Sequence, residues 1–307
     1  MSRLQPTETG LVPGEAVALA ETLNAAMPKT ARFRMPSGHP MEWFAFVFLA
    51  VLIISSVFVE FIPGLVRASF PYGDFSQGPE WSLNGLFGTD ALGRSILSRV
   101  LYGARTTLAI VSVATLISLV IGMILGMLAG FYRGPVERIV DLYANSMASL
   151  PPILVILALI SVTGNSVFTM MLALGLLDIG TYARIAKGGV IAQNDRDYVL
   201  AARAMGASDM RLLLREILPN LVPALTAIVP PLMAGLIITE GSLSFLGYGI
   251  PAPAPSWGGM IASSTDLLSR FPLLIFGPIV AIVLTVYSLN TVGDCLARRM
   301  NHRGREL

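Results

Sequence analysis

The chain reads as an all-α membrane protein of six transmembrane helices, and three observations lead there. Of its 307 residues, 54% are hydrophobic and only 13% charged, whereas a soluble domain carries about 25% charged residues. Six apolar runs, at about 43–62, 106–132, 140–162, 168–186, 224–245 and 271–289, approach or exceed the length of about twenty helical residues needed to cross a 30 Å hydrocarbon layer. Between the fourth and fifth runs lies a stretch that is not membrane-grade, 194–223, with Arg203, Arg211 and Arg215 set against Asp209 and Glu216.

Composition also excludes. The single cysteine, Cys295, allows neither an internal disulfide nor a thiolate metal site. His39 and His302 stand near opposite ends of the chain and argue against a histidine metal site. A net charge of +2 is too small to suggest nucleic acid as a partner. No cleavable signal peptide is evident, and the first apolar run is long enough to span.

In order, residues 1–40 are polar and proline-rich. Leu19, Leu23 and Met27 recur at helical spacing, which suits either a cytoplasmic tail with a transient helix or a helix lying on the membrane or a sister subunit. Glu15 and Glu21 disfavour anionic lipid. The apolar body occupies 41–297. Span one should end at Pro63 and Gly64. The loop to residue 100 is rich in turn formers. In it Asp90 can pair with Arg94 or cap the following helix, and Gly88 and Gly93 suit tight turns. In span two, Gly122, Gly126 and Gly130 repeat every fourth residue, a face for close helix packing or, second, a smooth pore wall.

Pro151 and Pro152 should break span three, and such a break must face protein or a cavity, not lipid. Asp178 lies near the middle of span four, either hydrogen-bonded structurally or facing a substrate path. In the elbow, Asn194 can cap a helix with Asp197 three residues on, Gly206 can end it at positive φ, and Ser208 can cap a second helix that Pro219 and Pro223 bend or end. Pro230 and Pro231 should interrupt span five, with Glu240 near its outer end. Trp257 suits an interfacial aromatic belt. Basic residues gather at the elbow (Arg184, Lys187, Arg196, Arg203, Arg211, Arg215) and in the tail 298–307. The loop between spans five and six offers only Arg270. By the positive-inside rule the elbow and both termini are cytoplasmic.

The elbow resembles the cytoplasmic signature loop of ABC importer permeases, in Ala201, Ala202, Gly206, Leu218 and Pro219 with the spacing kept. It departs at Leu200, where that family often has Glu. Two further segments narrow the resemblance to the dipeptide, oligopeptide and nickel permeases. One is Gly88-Thr89-Asp90, Gly93-Arg94, Ser98-Arg99 and Tyr102-Gly103-Ala104-Arg105, with Ser95 where the family usually has Asp. The other is Leu243-Ser244-Phe245-Leu246-Gly247 followed by Pro253, Pro255 and Ser256-Trp257-Gly258. Asn290, Gly293 and Asp294 resemble the family's closing motif.

The resemblance implies a type I ABC importer permease in a bacterial inner membrane, the second of two related permeases in a heterodimer. Two ATP-binding subunits holding ATP and Mg, an extracytoplasmic solute-binding protein and membrane lipid would be its partners. It makes Ala201, Ala202, Gly206, Ser208, Asp209, Leu218 and Pro219 the ATPase-coupling residues, and Asp178, Glu240 and Ser244 are the expected polar groups on the substrate path. The segment 88–105 would either serve local capping or meet the solute-binding protein. No phosphate-binding loop, nucleophile elbow or metal cluster is visible, so no catalytic residue and no cofactor is expected in this chain. Peptides are the expected cargo, with nickel or another small solute as the alternative. A membrane-embedded enzyme would need paired ionisable groups at one depth, which Asp178 and Glu240 do not supply. A self-contained channel or secondary transporter leaves the elbow without a purpose.

Overall fold

A computed structural model describes residues 40–251, 253–265, 268, 271 and 273–304. The proposed helix within 1–39, and Arg270, lie outside them. The described residues are overwhelmingly helical, with one isolated bridge between Thr89 and Ser95.

Helix α1 is Pro40–Val57, followed by a 3-10 turn at Val59–Phe61. It therefore stops short of the expected Pro63-Gly64 boundary. Helix α2, Ile96–Tyr132, is 37 residues long and starts ten residues earlier than expected from hydropathy. The reason is Ser95: its hydroxyl accepts from the Ser98 N–H and donates to the Asn84 carbonyl. Ser95, where the family usually has Asp, is thus the N-cap of α2.

Helices α3, Gly134–Ser149, and α4, Pro152–Thr163, meet at 97°. The two prolines break this span as the sequence predicts. Helix α5 is Val167–Asn194, capped by Ser166. Helix α6, Asp197–Ala204, is the first arm of the elbow. Helix α7, Asp209–Phe245, runs unbroken from the second arm into the membrane. Helices α8, Trp257–Ser264, and α9, Leu273–Gly304, complete the chain. Five helices (α1, α2, α5, α7 and α9) are long and apolar enough to cross a membrane, and the bent pair α3/α4 makes a sixth passage.

Two expectations about proline are corrected. Pro219 and Pro223 neither end nor split α7, and Pro230 and Pro231 do not interrupt it. A π-helical stretch at Leu212–Ile217 widens the turn just before Pro219, which accommodates the missing proline N–H. Further along, the Pro231 ring is received by α9. A Cβ added at Gly293 would lie 2.5 Å from the Pro231 ring, so the closing motif needs a glycine there to seat the proline.

The bundle is organised on the α2–α5 contact. A Cβ at Gly122 would sit 2.6 Å from the Ile179 carbonyl, one at Gly126 closer still to that of Ala183, and one at Gly130 2.9 Å from that of Lys187. The four-residue glycine repeat is therefore a packing face: without side chains, van der Waals contact can hold two helices together where lipid gives no hydrophobic drive. One core cluster, including Ile96, Ile110, Leu174, Leu243, Trp257 and Leu274, fills most of the bundle. A second, with Met127, Tyr182, Val190, Leu212 and Ile217, lies under the elbow.

Candidate functional site: the elbow, the outer cap and the mid-membrane polar groups

The elbow is a closed unit. Gly206 has φ +81°, and the Ala207 and Gly206 N–H groups donate to the Ala202 and Arg203 carbonyls. This is the double hydrogen bond of a Schellman stop, and it requires a left-handed residue at Gly206. Val199 and Ala202 are buried against Leu212, Leu213 and Ile217 of α7. Ala201 is exposed, so of the two alanines only Ala202 makes the close approach.

Capping differs from expectation. Asn194 ends α5 and accepts from the Arg203 guanidinium at 3.0 Å, and Ser208 sits at the helix start without a side-chain capping bond. Arg203 also lies over the Phe131 ring at the end of α2. Tyr198 donates to Gln193 of α5 and accepts from Asn220 of α7. Partial burial raises its pKa above the ordinary phenol value, so it stays a neutral donor at physiological pH. These contacts join the elbow to α2, α5 and α7. Its outer face carries Leu200, Met210 and Leu214, each exposed, and Met205, 81% exposed. Ser208 and Asp209 are exposed beside them, Leu218 is half-buried and Pro219 is exposed.

At the opposite end the connection between α1 and α2 forms a folded cap. Asn84 spans it, donating to the Gly64 carbonyl and accepting from the Val66 N–H. Thr89 donates to the Asp74 carbonyl and accepts from the Gln77 N–H. Asp90 accepts from the Leu92 and Arg94 N–H groups and pairs with the Arg94 and Arg99 guanidinium groups at 2.7 and 3.4 Å. Asp90 therefore organises the turn, while Ser95 caps the helix. Gly88 and Gly93 adopt φ of +82° and +71° in this cap.

The third motif is also structural. Ser256 caps α8 by accepting from the Gly259 N–H, Gly258 lies against the Gly241 backbone, and Gly247, at φ +88°, ends α7. Trp257 corrects the belt expectation. It is fully buried and donates its indole N–H to the Val100 carbonyl at 3.0 Å, pinning α8 to α2.

The three polar groups expected on a path separate. Glu240 is fully buried, held by Thr107 of α2 at 3.1 Å and by Ser244 at 2.7 Å. Within the chain it and Ser244 face the α2–α7 contact. Asp178 alone opens into a cavity, beside the α3/α4 break. Sequence reasoning did not find Thr107, and it counted Lys187 only among the elbow's basic residues; Lys187 pairs with Asp141 at 2.6 Å and Glu137 at 3.2 Å to hold α5 to α3. It also missed Glu42, buried on α1 and paired with Arg298 of α9 at 2.6 Å. Each partner lies 46 or more residues away, and no local pattern announces it. Among the described residues no cluster of metal-ligating side chains forms.

A family profile described as "Binding-protein-dependent transport system inner membrane component" matches residues 122–306, from the glycine face of α2 onward. The chain belongs to that family. The permease is 35% identical over 257 residues to the glutathione transport system permease protein GsiD of Shigella dysenteriae serotype 1 (strain Sd197), covering 83% of this chain and 84% of that protein. The same figures hold for GsiD of Escherichia coli O157:H7. Among solved structures, an inward-facing MetNI methionine ABC transporter aligns with TM-score 0.54 at 20% identity, covering 66% of the permease and 97% of that chain. The fold is that of a type I ABC importer permease, and the chain is a transmembrane permease subunit of such an importer. Membership implies ATPase and solute-binding partner subunits.

Proposed function

We propose that this permease moves di- or oligopeptides inward across a bacterial inner membrane, as one of two related permeases in a heterodimer. The observation that carries the cargo is the identity to glutathione permeases across most of both chains, glutathione being a tripeptide. Two partner ATPases bind ATP and Mg and do the hydrolysis; this chain supplies no catalytic group.

The coupling site is the elbow. Ala201, Ala202, Gly206, Ser208, Asp209, Leu218 and Pro219 form or flank a surface whose exposed apolar residues suit a groove on an ATPase. Closure of the ATPase pair pushes the elbow, and α2, α5 and α7 rock with it through the Arg203, Tyr198 and Leu212–Ile217 contacts. The elbow and both termini face the cytoplasm, and the folded cap around Asn84 faces the solute-binding protein.

The test is ATP-dependent uptake in vesicles holding both permeases and both ATPases, with the binding protein loaded from a mixed peptide pool. Accumulation of peptide inside supports the reading. Binding-protein-stimulated ATPase activity without peptide uptake overturns the cargo and redirects the search to nickel or other small solutes.

A further inference from the structure

The break between α3 and α4 creates a polar cavity that the coupling machinery does not use. It has a volume of about 160 Å3 and is lined by Met147, Ala148 and Pro152 of the broken span and by Asp178, Thr181 and Arg184 of α5. In an unbroken helix the Ala148 carbonyl would accept from residue 152, or in a tighter turn from residue 151. Both are prolines, without an N–H. The Met147 carbonyl loses its i+4 donor to Pro151 in the same way. No other backbone N–H is hydrogen-bonded to either carbonyl across the break among the described residues. Neither the Asp178 carboxylate nor the Thr181 hydroxyl has a hydrogen-bond or ion-pair partner there. A carboxylate at membrane depth without a partner is costly, and so are open carbonyls. All four groups can accept, and the four residues line one cavity.

We propose that this cavity is an ammonium subsite on the cargo's route, in which Asp178, Thr181 and the Met147 and Ala148 carbonyls receive the protonated amino terminus of a passing peptide. The inference rests on the peptide reading above. An ammonium group brings one positive charge and three donors, which matches one carboxylate plus neutral oxygens. The cavity has room for an ammonium group with water beside it. Arg184 lines the same cavity without an ion pair to Asp178, and its positive charge opposes a tight hold on a second cation, as passage requires.

The experiment compares a tripeptide with a free amino terminus and its N-acetylated form in the complete reconstituted importer. Each is supplied at concentrations that saturate the binding protein, as titrated on that protein alone. The wild-type importer should move the free form about tenfold faster. Asp178→Asn should move both at the slower rate, while the ATPase activity stimulated by loaded binding protein persists, which shows that the complex still assembles. Thr181→Val should lose two- to threefold of the preference and carries the test if the first variant does not assemble. Unchanged discrimination in both variants, or none in the wild type, overturns the subsite alone. No uptake of either peptide by the wild type overturns the peptide reading, and the subsite with it.

Discussion

At the scale of single residues, the fold depends on where atoms are missing as much as on where they are present. Gly126 approaches the Ala183 backbone so closely that any side chain must push α2 from α5. Gly126→Val should therefore destabilise by about 1–3 kcal/mol, the usual range for overpacking, read as a lowered midpoint of thermal unfolding in detergent. Gly188 of α5 is the control, because a Cβ there meets nothing within 4 Å. Gly188→Ala should leave the midpoint unchanged or raise it, since alanine is favoured over glycine in a helix by about 1 kcal/mol. Glu240 makes the complementary case. One of its hydroxyl donors, Thr107, comes from α2 and the other, Ser244, from the next turn of its own helix, so Glu240→Ala should cost about 1–3 kcal/mol. Glu240→Gln retains a carbonyl oxygen and should cost less. Equal unfolding midpoints for the two variants would show that the Thr107 bond does not hold α2 to α7.

At the scale of elements, the elbow shows what a sequence can and cannot announce. Its turn was legible because Gly206 is a local requirement: a left-handed residue must follow α6, and glycine marks the place. The α2 glycine face was legible for a similar reason, since a four-residue repeat needs no knowledge of its partner. The capping residues and the prolines of α7 were misread because their outcome depends on partners and helix geometry that the local pattern does not show. Asn194 is claimed by Arg203, Pro219 is absorbed by the π-helical turn, and Pro231 is received by Gly293. Asp178 and the Pro151-Pro152 pair were each noticed, but only the 97° bend brings them to one cavity. The elbow also carries the sharpest prediction at this scale. Gly206→Pro removes the N–H bonded to Arg203 and forbids φ +81°, and Ala202→Arg forces a long charged side chain into the contact with Leu212 and Leu213. Either should lower ATP-dependent uptake at least tenfold while membrane insertion persists. Uptake at the wild-type rate in either variant would show that the elbow does not transmit work.

At the scale of the whole molecule, the bundle has two unlike ends. One carries the folded cap, stitched by Asn84, Thr89 and Asp90; the other carries the elbow, with Arg196, Arg203, Arg211 and Arg215 around it. A short loop rich in arginine is held on the cytoplasmic side during insertion, so the elbow end should face inward. The cap has Arg94 and Arg99 too, but both are tied to Asp90, and their charge is partly offset in the folded loop. The chain itself offers a clean way to check. Its only cysteine, Cys295, is buried in α9 against Glu42, and should not react with a bulky thiol reagent while the bundle is folded. Ser208→Cys and Ser69→Cys each place one thiol at an exposed position, the first on the elbow and the second on the cap side. In intact cells expressing the permease without its ATPases, a membrane-impermeant maleimide should label the Ser69→Cys protein and spare the Ser208→Cys protein; opening the cells should expose the second to label. The reverse pattern would turn the molecule over, put the elbow out of reach of any cytoplasmic ATPase, and remove the physical basis for reading it as the input of work.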